Sequence, residues 1–170
     1  MEFRELLNTP GPVLLDGGMG TMLQARGLSI GEWPELAALE HPDWLEDIHR
    51  AYVEAGAQIL CANTFGANRE KLGRTGRTVE EVVPPSVEIA RRAARGRALV
   101  ALDVGPTGQL LEPTGTLRFE EAVDIFAQTV RAGVQAGADL ILIETMTDLQ
   151  EARAALLAAK ENSSLPVIVT

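Results

Sequence analysis

Glycines and acidic residues that follow short apolar runs suit the binding of a small zwitterion. Leu15-Asp16-Gly17-Gly18-Met19-Gly20-Thr21 places a carboxylate and two glycines in a turn before a helix-compatible stretch. Glycines let a ligand approach the backbone, whose free N–H groups favour an anion. Glu144 follows four large aliphatic residues, where an unpaired carboxylate is costly unless a cation pairs with it. Asp16 and Glu144 would hold an ammonium group and the glycine amides a carboxylate, which is how an α-amino acid is recognised.

Other interpretations of these residues stay open. The glycine segment can be a strand-to-helix turn with no ligand. It does not fit a dinucleotide-binding fingerprint, because Gly18-Met19-Gly20 would require glycine where Leu23 stands. Asn63-Thr64-Phe65-Gly66 and Asp103-Val104-Gly105-Pro106 contain residues that dominate turns for backbone reasons alone. A structural salt bridge to Arg or Lys would also explain Glu144.

Five short apolar runs predict the strands that position these residues. They are residues 13–15, 59–62, 98–102, 140–143 and 166–169. Because the runs are apolar on both faces, they are typical of a parallel sheet covered on both sides. A polar residue ends each of them, in chain order Asp16, Asn63, Asp103, Glu144 and Thr170.

Amphipathic stretches between the runs predict helices over residues 43–55, 87–94, 119–136 and 150–160. Pro84-Pro85 should stop a helix begun at Val79, or restart one with proline in its first turn. Residues 55–65 also align without gaps on residues 136–146, 81 positions later. Each copy reads as a helix end, an Ala-Gly-Ala turn, a strand, and a polar residue followed by threonine, so two βα units fit in the interval.

This alternation predicts an α/β fold, either an open doubly wound sheet or a TIM-type (β/α)8 barrel. The barrel is favoured because its active sites lie at the carboxyl ends of several strands, where the polar residues fall. Such a barrel has eight strands in about 250 residues. We therefore expect residues 1–170 to be the N-terminal portion of a single barrel domain, truncated after about five strands.

Composition limits the choice of partners. The 170 residues, 46% hydrophobic and 23% charged, are typical of one soluble globular domain. A formal net charge of −9 argues against a nucleic-acid partner. No apolar stretch approaches the roughly 20 residues that span a bilayer, and the N-terminus lacks the features of a signal peptide. These features predict a cytoplasmic protein with a small-molecule partner and no membrane.

Metal-ligand residues are few. Cys61 is the only cysteine, and its place inside the second apolar run predicts a small buried apolar residue. His41 and His49 lie eight positions apart without nearby acidic or thiol partners, which predicts two surface residues rather than a metal site.

Taken together, the motifs resemble the homocysteine S-methyltransferase family, and most closely its members in cobalamin-dependent methionine synthases. The resemblance rests on residues 15–24 and on three further motifs in the family's order. These are Ala62-Asn63-Thr64-Phe65-Gly66-Ala67-Asn68, Gly105-Pro106-Thr107-Gly108 and Ile143-Glu144-Thr145-Met146. It covers nearly the whole chain.

This resemblance implies a (β/α)8 barrel in which zinc, held by three cysteines, keeps the homocysteine sulfur as a thiolate. The thiolate attacks a methyl group carried by methylcobalamin on another module, beside a folate-binding module. Asp16, Gly17 and Glu144 are implied to bind homocysteine, with Asn63 and Thr64 lining the pocket; Gly18 and Asp103 complete the candidate set from the rim pattern. The zinc cysteines are expected beyond Thr170, so no metal ligand or catalytic residue is assigned here and the chain alone is expected to be inactive.

Two other functions compete with methyl transfer. One is a barrel lyase or isomerase, which needs a general base acting with a Lys or His at the rim; neither residue type ends a predicted strand. The other is a metal-free binding protein complete at this length. The sequence leaves the methyl donor open between cobalamin, betaine and S-methylmethionine, and it leaves the oligomeric state open.

Overall fold

A four-stranded parallel sheet forms the centre of the computed structural model, which describes residues 2–170. The strands are β1 (Ile59–Cys61), β2 (Leu99–Val104), β3 (Leu140–Ile143) and β4 (Val167–Val169). Neighbouring strands are parallel, and their order in the sheet follows the chain. The predicted parallel α/β fold and strand order are confirmed.

The first predicted strand, residues 13–15, is reduced to one parallel bridge between Leu15 and Ile59. The N–H groups of Gln58 and Ile59 donate to the Leu14 carbonyl oxygen at 2.8 and 3.2 Å, and Asp16 N donates to the Ile59 oxygen at 3.0 Å. The prediction of five strands is therefore wrong by one. The segment pairs on one side only, and Leu14 and Leu15 stay 51% and 41% exposed. It still runs parallel to β1 and brings Asp16 to the same edge as the strand ends.

Helices connect the strands and cover the sheet. The α-helices are α1 (Phe3–Leu7), α2 (Met19–Ala25), α3 (Ala37–Glu40), α4 (Pro42–Glu54), α5 (Arg69–Leu72), α6 (Val79–Ala94), α7 (Phe119–Gln135) and α8 (Leu149–Asn162). Short 3-10 turns occupy Pro34–Leu36 and Gly73–Thr75. The long helices pack on one sheet face, whereas Leu6 of α1 packs on the other face against Ile59, Leu99 and Leu140. No helix in residues 2–170 combines the length and apolarity needed to cross a membrane.

Helix α6 corrects the expectation that Pro84-Pro85 interrupts this region, because α6 is continuous through both prolines. Each proline inside a helix costs about 3 kcal/mol relative to alanine. A capping box offsets part of this loss: Glu81 N donates to Thr78 Oγ1 at 3.3 Å, and Thr78 N donates to the Glu81 carboxylate at 2.9 Å. The rest is offset by a fully buried apolar stripe that includes Val82 and Val87. The helices predicted over 43–55, 119–136 and 150–160 are confirmed as α4, α7 and α8.

The internal sequence repeat is also a structural repeat. Ala55 and Ala136 end α4 and α7 with the same backbone angles, φ −74° and ψ −6°. Gly56 and Gly137 follow at φ +103° and +90°, a left-handed conformation that favours glycine. Each turn then leads directly into a strand, β1 or β3. The two copies therefore place the residue after the strand, Asn63 or Glu144, at the same edge of the sheet.

Candidate functional site

The carboxyl ends of the strands surround a cavity of about 470 Å³. Six of the seven residues predicted to bind substrate line it, namely Asp16, Gly17, Gly18, Asn63, Asp103 and Glu144. These residues lie at the ends of the bridged segment 13–15 and of strands β1, β2 and β3, and the parallel arrangement brings them together as the sequence predicted. Thr64, the seventh, is not among the lining residues.

Thr64 has a structural position behind the cavity. Its hydroxyl donates to the Asp103 carbonyl oxygen at 2.8 Å and accepts from Asp103 N at 3.1 Å. These two backbone groups face the side of β2 where β1 has already ended at Cys61. The buried Thr64 side chain therefore replaces the missing strand partner and leaves no hydroxyl group for a ligand.

Asp16 is held at the floor of the cavity. Cys61 N donates to Asp16 Oδ2 at 3.0 Å, which fixes one carboxylate oxygen. Burial raises the pKa of Asp16 to about 6 against the opposing effect of this hydrogen bond, and the nearby Glu144 charge adds to the rise. Asp16 is therefore mostly ionised at neutral pH and easily protonated below it.

Asp103 lies near the end of β2 and is more deeply buried. Its Oδ1 has no hydrogen-bond partner among residues 2–170. Burial raises the pKa of Asp103 to about 8, and the negative charges of Glu144 and Asp16 raise it further in the same direction. A buried carboxyl group without a partner favours its neutral form. Asp103 thus holds a proton at neutral pH in the free protein.

Glu144 follows β3 directly, and its backbone N–H donates to the Val104 carbonyl oxygen at 3.1 Å. The side chain is half-buried at the cavity wall. No Arg or Lys side chain of residues 2–170 forms a salt bridge with it. The alternative of a structural ion pair is therefore not realised in the described chain, and the carboxylate is available to a ligand.

The Gly17-Gly18 segment approaches helix α4 closely. A Cβ atom at Gly17 would lie 3.0 Å from the Tyr52 hydroxyl oxygen. That hydroxyl donates to the Gly18 carbonyl oxygen at 3.2 Å. A side chain at position 17 would therefore press on Tyr52, and the segment is held from behind while its other side lines the cavity.

A turn from a distant part of the chain closes the opposite wall. Asn63 Nδ2 donates to the Pro34 carbonyl oxygen at 2.6 Å, and Gly66 N donates to Glu35 Oε1 at 2.8 Å. Glu35 was not predicted as a site residue, yet it is buried, lines the cavity and leaves Oε2 without a partner within residues 2–170. The sequence carries no indication of this role, because Glu35 lies in a short 3-10 turn 31 positions before Gly66.

The Gly105-Pro106-Thr107-Gly108 motif is structural in the described chain. Gly105 N donates to the Phe65 carbonyl oxygen at 3.0 Å, and a side chain at Gly105 would collide with Phe65. Thr107 N donates to the buried Glu151 carboxylate at 2.8 Å, and the Thr107 hydroxyl donates to the same oxygen. The motif therefore ties the loop after β2 to the loop after β1 and to helix α8.

His49 corrects the expectation that both histidines lie at the surface. It is 0% exposed, and its Nδ1 lies 3.9 Å from Asp16 Oδ2. Burial lowers its pKa to about 4, so the imidazole is neutral at neutral pH. Helical spacing contained the signal: positions 45, 48, 49 and 52 follow the i, i+3, i+4, i+7 pattern of the apolar face. His41 instead stacks on Trp44 with ring centroids 4.1 Å apart.

Cys61 also departs from its predicted place, because it is half-buried and lines the cavity instead of being a fully buried core residue. Burial raises the pKa of its thiol, and the charges of Asp16 and Asp103 raise it further. A zinc ligand requires a thiolate, which a raised pKa disfavours. Within residues 2–170, no group of three His, Cys, Asp or Glu side chains could hold a metal ion. The residues present therefore do not fit a zinc centre.

The cavity has a marked charge preference. Four carboxyl groups line it, those of Asp16, Glu35, Asp103 and Glu144, and its lining within residues 2–170 includes no Lys, Arg or His. Such a site repels phosphate and attracts a cationic group such as an ammonium. The glycine segment in the same wall offers backbone N–H groups, which suit a carboxylate.

Comparison with known proteins identifies the family. The sequence profile described as Homocysteine S-methyltransferase matches residues 13–170. This chain belongs to the homocysteine S-methyltransferase family. It is 34% identical over 160 residues to the methionine synthase of Mycobacterium tuberculosis (strain ATCC 25618 / H37Rv), covering 85% of this chain. It is also 34% identical over 173 residues to the homocysteine S-methyltransferase of Escherichia coli (strain K12), covering 89% of this chain.

Solved structures of a family member resemble the fold of this chain. The oxidised form of the homocysteine methyltransferase MmuM from Escherichia coli superposes with a TM-score of 0.88 at 26% identity, over 98% of this chain and 64% of that protein. Its metallated form gives a TM-score of 0.82 at 28% identity, over 94% and 63%. The match spans 13% of the mycobacterial methionine synthase and 55% of the E. coli homocysteine S-methyltransferase.

Proposed function

We propose that this chain supplies the amino-acid-binding part of a zinc-dependent homocysteine S-methyltransferase that forms methionine. The observation that carries the proposal is the carboxylate-lined cavity beside a glycine segment at the strand ends. Membership of the homocysteine S-methyltransferase family supports homocysteine as the amino acid.

Homocysteine would be held at both ends of its α-amino-acid group. Its ammonium lies between Asp16 and Glu144, since these carboxylates come from separate strand ends and share the cavity. Its carboxylate faces the backbone N–H groups of the Gly17-Gly18 segment. Asn63 and Thr64 act indirectly in this arrangement, because their polar groups hold the Pro34 turn and the Asp103 backbone.

Proton release would accompany binding. In the free site Asp103 is protonated and Asp16 titrates near neutral pH, because carboxyl groups are crowded and buried there. An ammonium ion bound by Asp16 and Glu144 offsets the repulsion and favours the ionised forms of the buried carboxyl groups. Charge-assisted hydrogen bonds to the bound substrate thus form as the buried carboxyl groups release their protons.

The remaining parts of the activity lie outside these residues in our proposal. Residues 1–170 would form the N-terminal portion of a single (β/α)8 barrel, and the rest of the barrel would supply the three zinc cysteines. A metallated form is known for the E. coli homocysteine methyltransferase, which supports a metal in the family. The likeness to a methionine synthase supports methylcobalamin on another module as methyl donor, with a folate-binding module beside it.

Titration of L-homocysteine into the complete gene product, with a Glu144→Gln variant, tests this function. Losing one charge-assisted hydrogen bond should weaken binding by about 1.5 to 3 kcal/mol, or roughly ten- to a hundredfold. In steady-state kinetics the loss should appear in the Michaelis constant, because the ammonium contact is equal before and during methyl transfer. Zinc content should be unchanged.

Glu161→Gln is the matched control, since it removes the same charge from the exposed end of α8. Its affinity should equal that of the unmodified protein. Folded protein that fails to bind L-homocysteine at all would refute the function. Equal affinities for Glu144→Gln and the unmodified protein would refute the role of Glu144, and loss of zinc would show that Glu144 supports the metal site instead.

A further inference from the structure

His49 is a buried polar residue that does not line the cavity. Neither ring nitrogen has a hydrogen-bond partner within residues 2–170, although the side chain is fully buried. Leaving a buried polar group without a partner is costly. The imidazole sits directly behind Asp16, with Nδ1 3.9 Å from Oδ2, which is beyond hydrogen-bonding distance but within reach of a small shift.

Helix α4 directs two polar groups at the same segment. His49 and Tyr52 are three positions apart and therefore lie on one face of the helix. Tyr52 donates to the Gly18 carbonyl oxygen, while His49 lies against the Asp16 carboxylate. One helix thus supports both the ammonium-binding and the carboxylate-binding parts of the proposed site.

We propose that His49 is a positioning residue, whose neutral imidazole donates a hydrogen bond from Nδ1 to Oδ2 of the ionised Asp16 carboxylate and orients that carboxylate for the amino group of the substrate. This inference rests on the proposed homocysteine site. Cys61 N already donates to the same oxygen, so His49 completes a second hydrogen bond there. A carboxylate with two donors on one oxygen stays ionised and presents its other oxygen to the ligand.

The direction of the pH effect follows from the groups that face Asp16. These are His49 and Tyr52 of α4, Cys61 of β1, Asp103 of β2 and Glu144 after β3. Burial raises the pKa of Asp16 to about 6, the Glu144 charge adds a smaller rise, and the Cys61 hydrogen bonds act against both. A hydrogen bond from His49 also lowers this pKa. Without His49, Asp16 should take up its proton at a higher pH.

The experiment measures the affinity of the complete gene product for L-homocysteine by calorimetry between pH 5.5 and 8.5. His49→Phe keeps a planar ring and removes both nitrogens; we expect binding to weaken about three- to tenfold at pH 7 and its acid midpoint to rise by about one pH unit. The difference in affinity between His49→Phe and the unmodified protein should be smaller at pH 8.5. His49→Asn retains an N–H near the Nδ1 position and should restore most of the affinity.

His41→Asn is the control, because His41 is the other histidine of the chain and lies away from the cavity. It should leave the midpoint unchanged. If His49→Phe lowers thermal stability but leaves the midpoint of binding where it was, His49 is only a packing residue and the inference fails. If the unmodified protein binds no L-homocysteine, the proposed function fails instead.

An NMR measurement on the unmodified protein does not depend on the folding of variants. The two imidazole spin systems can be assigned with His41→Asn. We expect His49 to carry its proton on Nδ1 and this signal to move downfield when L-homocysteine is added. A proton on Nε2, or an unchanged signal at saturating ligand, would overturn the inference.

Discussion

The two copies of the internal repeat share their backbone and differ in what their last residues do. Both leave a helix through an Ala-Gly-Ala turn with matching hydrogen bonds, and both enter a parallel strand. In the first copy, the Asn63 and Thr64 side chains donate hydrogen bonds to backbone carbonyl oxygens of the protein. In the second, Glu144 faces the cavity and Thr145 is exposed at φ +61°.

The difference arises outside the repeat. The Pro34 turn supplies an acceptor for Asn63, and β2 extends beyond the end of β1, so its backbone needs Thr64. The Glu144 side chain is not needed for either purpose, because the Glu144 backbone N–H itself donates to the Val104 carbonyl oxygen and continues the strand pairing. A repeated strand therefore determines where a rim residue lies, while contacts from distant segments determine whether that residue serves the fold or the ligand.

Thr64→Val should be the most destabilising change in this comparison. It leaves the Asp103 N–H and carbonyl groups buried without partners, which should lower the free energy of unfolding by about 2 to 4 kcal/mol. Thr145→Val, the same change in the second copy, should stay within about 0.5 kcal/mol. Chemical denaturation of both variants measures these changes. Equal losses of unfolding free energy would show that the two threonines do not differ in their structural roles.

Gly66→Ala tests the contact between the first copy and the Pro34 turn. The added Cβ would collide with Glu35 Oε1, and such overpacking typically costs about 1 to 3 kcal/mol. The residue 81 positions after Gly66 is Thr147, which directly follows the second copy and is exposed, so Thr147→Ala should be nearly neutral. If thermal unfolding shows Gly66→Ala to be as stable as the unmodified protein, the contact between Gly66 and Glu35 does not hold the Pro34 turn in place.

Asp103, which lies between the two copies, should make the stability of the protein depend on pH. Its pKa is raised from 3.8 to about 8, so the folded state binds a proton that the unfolded state releases. The contribution of this group is complete below pH 3.8 and is lost as pH rises through about 8. His49 and Asp16 titrate at about 4 and about 6, which leaves Asp103 dominant above neutral pH.

Between pH 6.5 and 8, the free energy of unfolding should therefore fall by about 1 to 2 kcal/mol. Asp103→Asn should flatten this slope, because it removes the titrating group and keeps the shape. Denaturation curves at several pH values provide the measurement. A slope that persists in Asp103→Asn would assign the proton to another group.

Features of the fold and the site that depend on local sequence patterns can be predicted from the sequence, whereas features that depend on contacts between distant segments cannot. Short apolar runs and the repeat predict the parallel order, and six of the seven residues predicted to bind substrate reach one cavity because parallel strands end at the same edge. The first strand fails to extend because it pairs on one side only. Helix α6 passes through Pro84-Pro85 because its stripe is buried. Glu35 depends on a contact across 31 positions, which no local pattern encodes.

The proposed function requires the cavity to recognise the ammonium group of homocysteine. Comparing L-homocysteine with 4-mercaptobutanoate, which lacks only the amino group, tests it in the complete gene product and in Glu144→Gln. Calorimetry should show the amino group improving affinity at least about tenfold in the unmodified protein. In Glu144→Gln that advantage should shrink by about tenfold. Equal affinities of the unmodified protein for the two ligands would contradict ammonium recognition at this site.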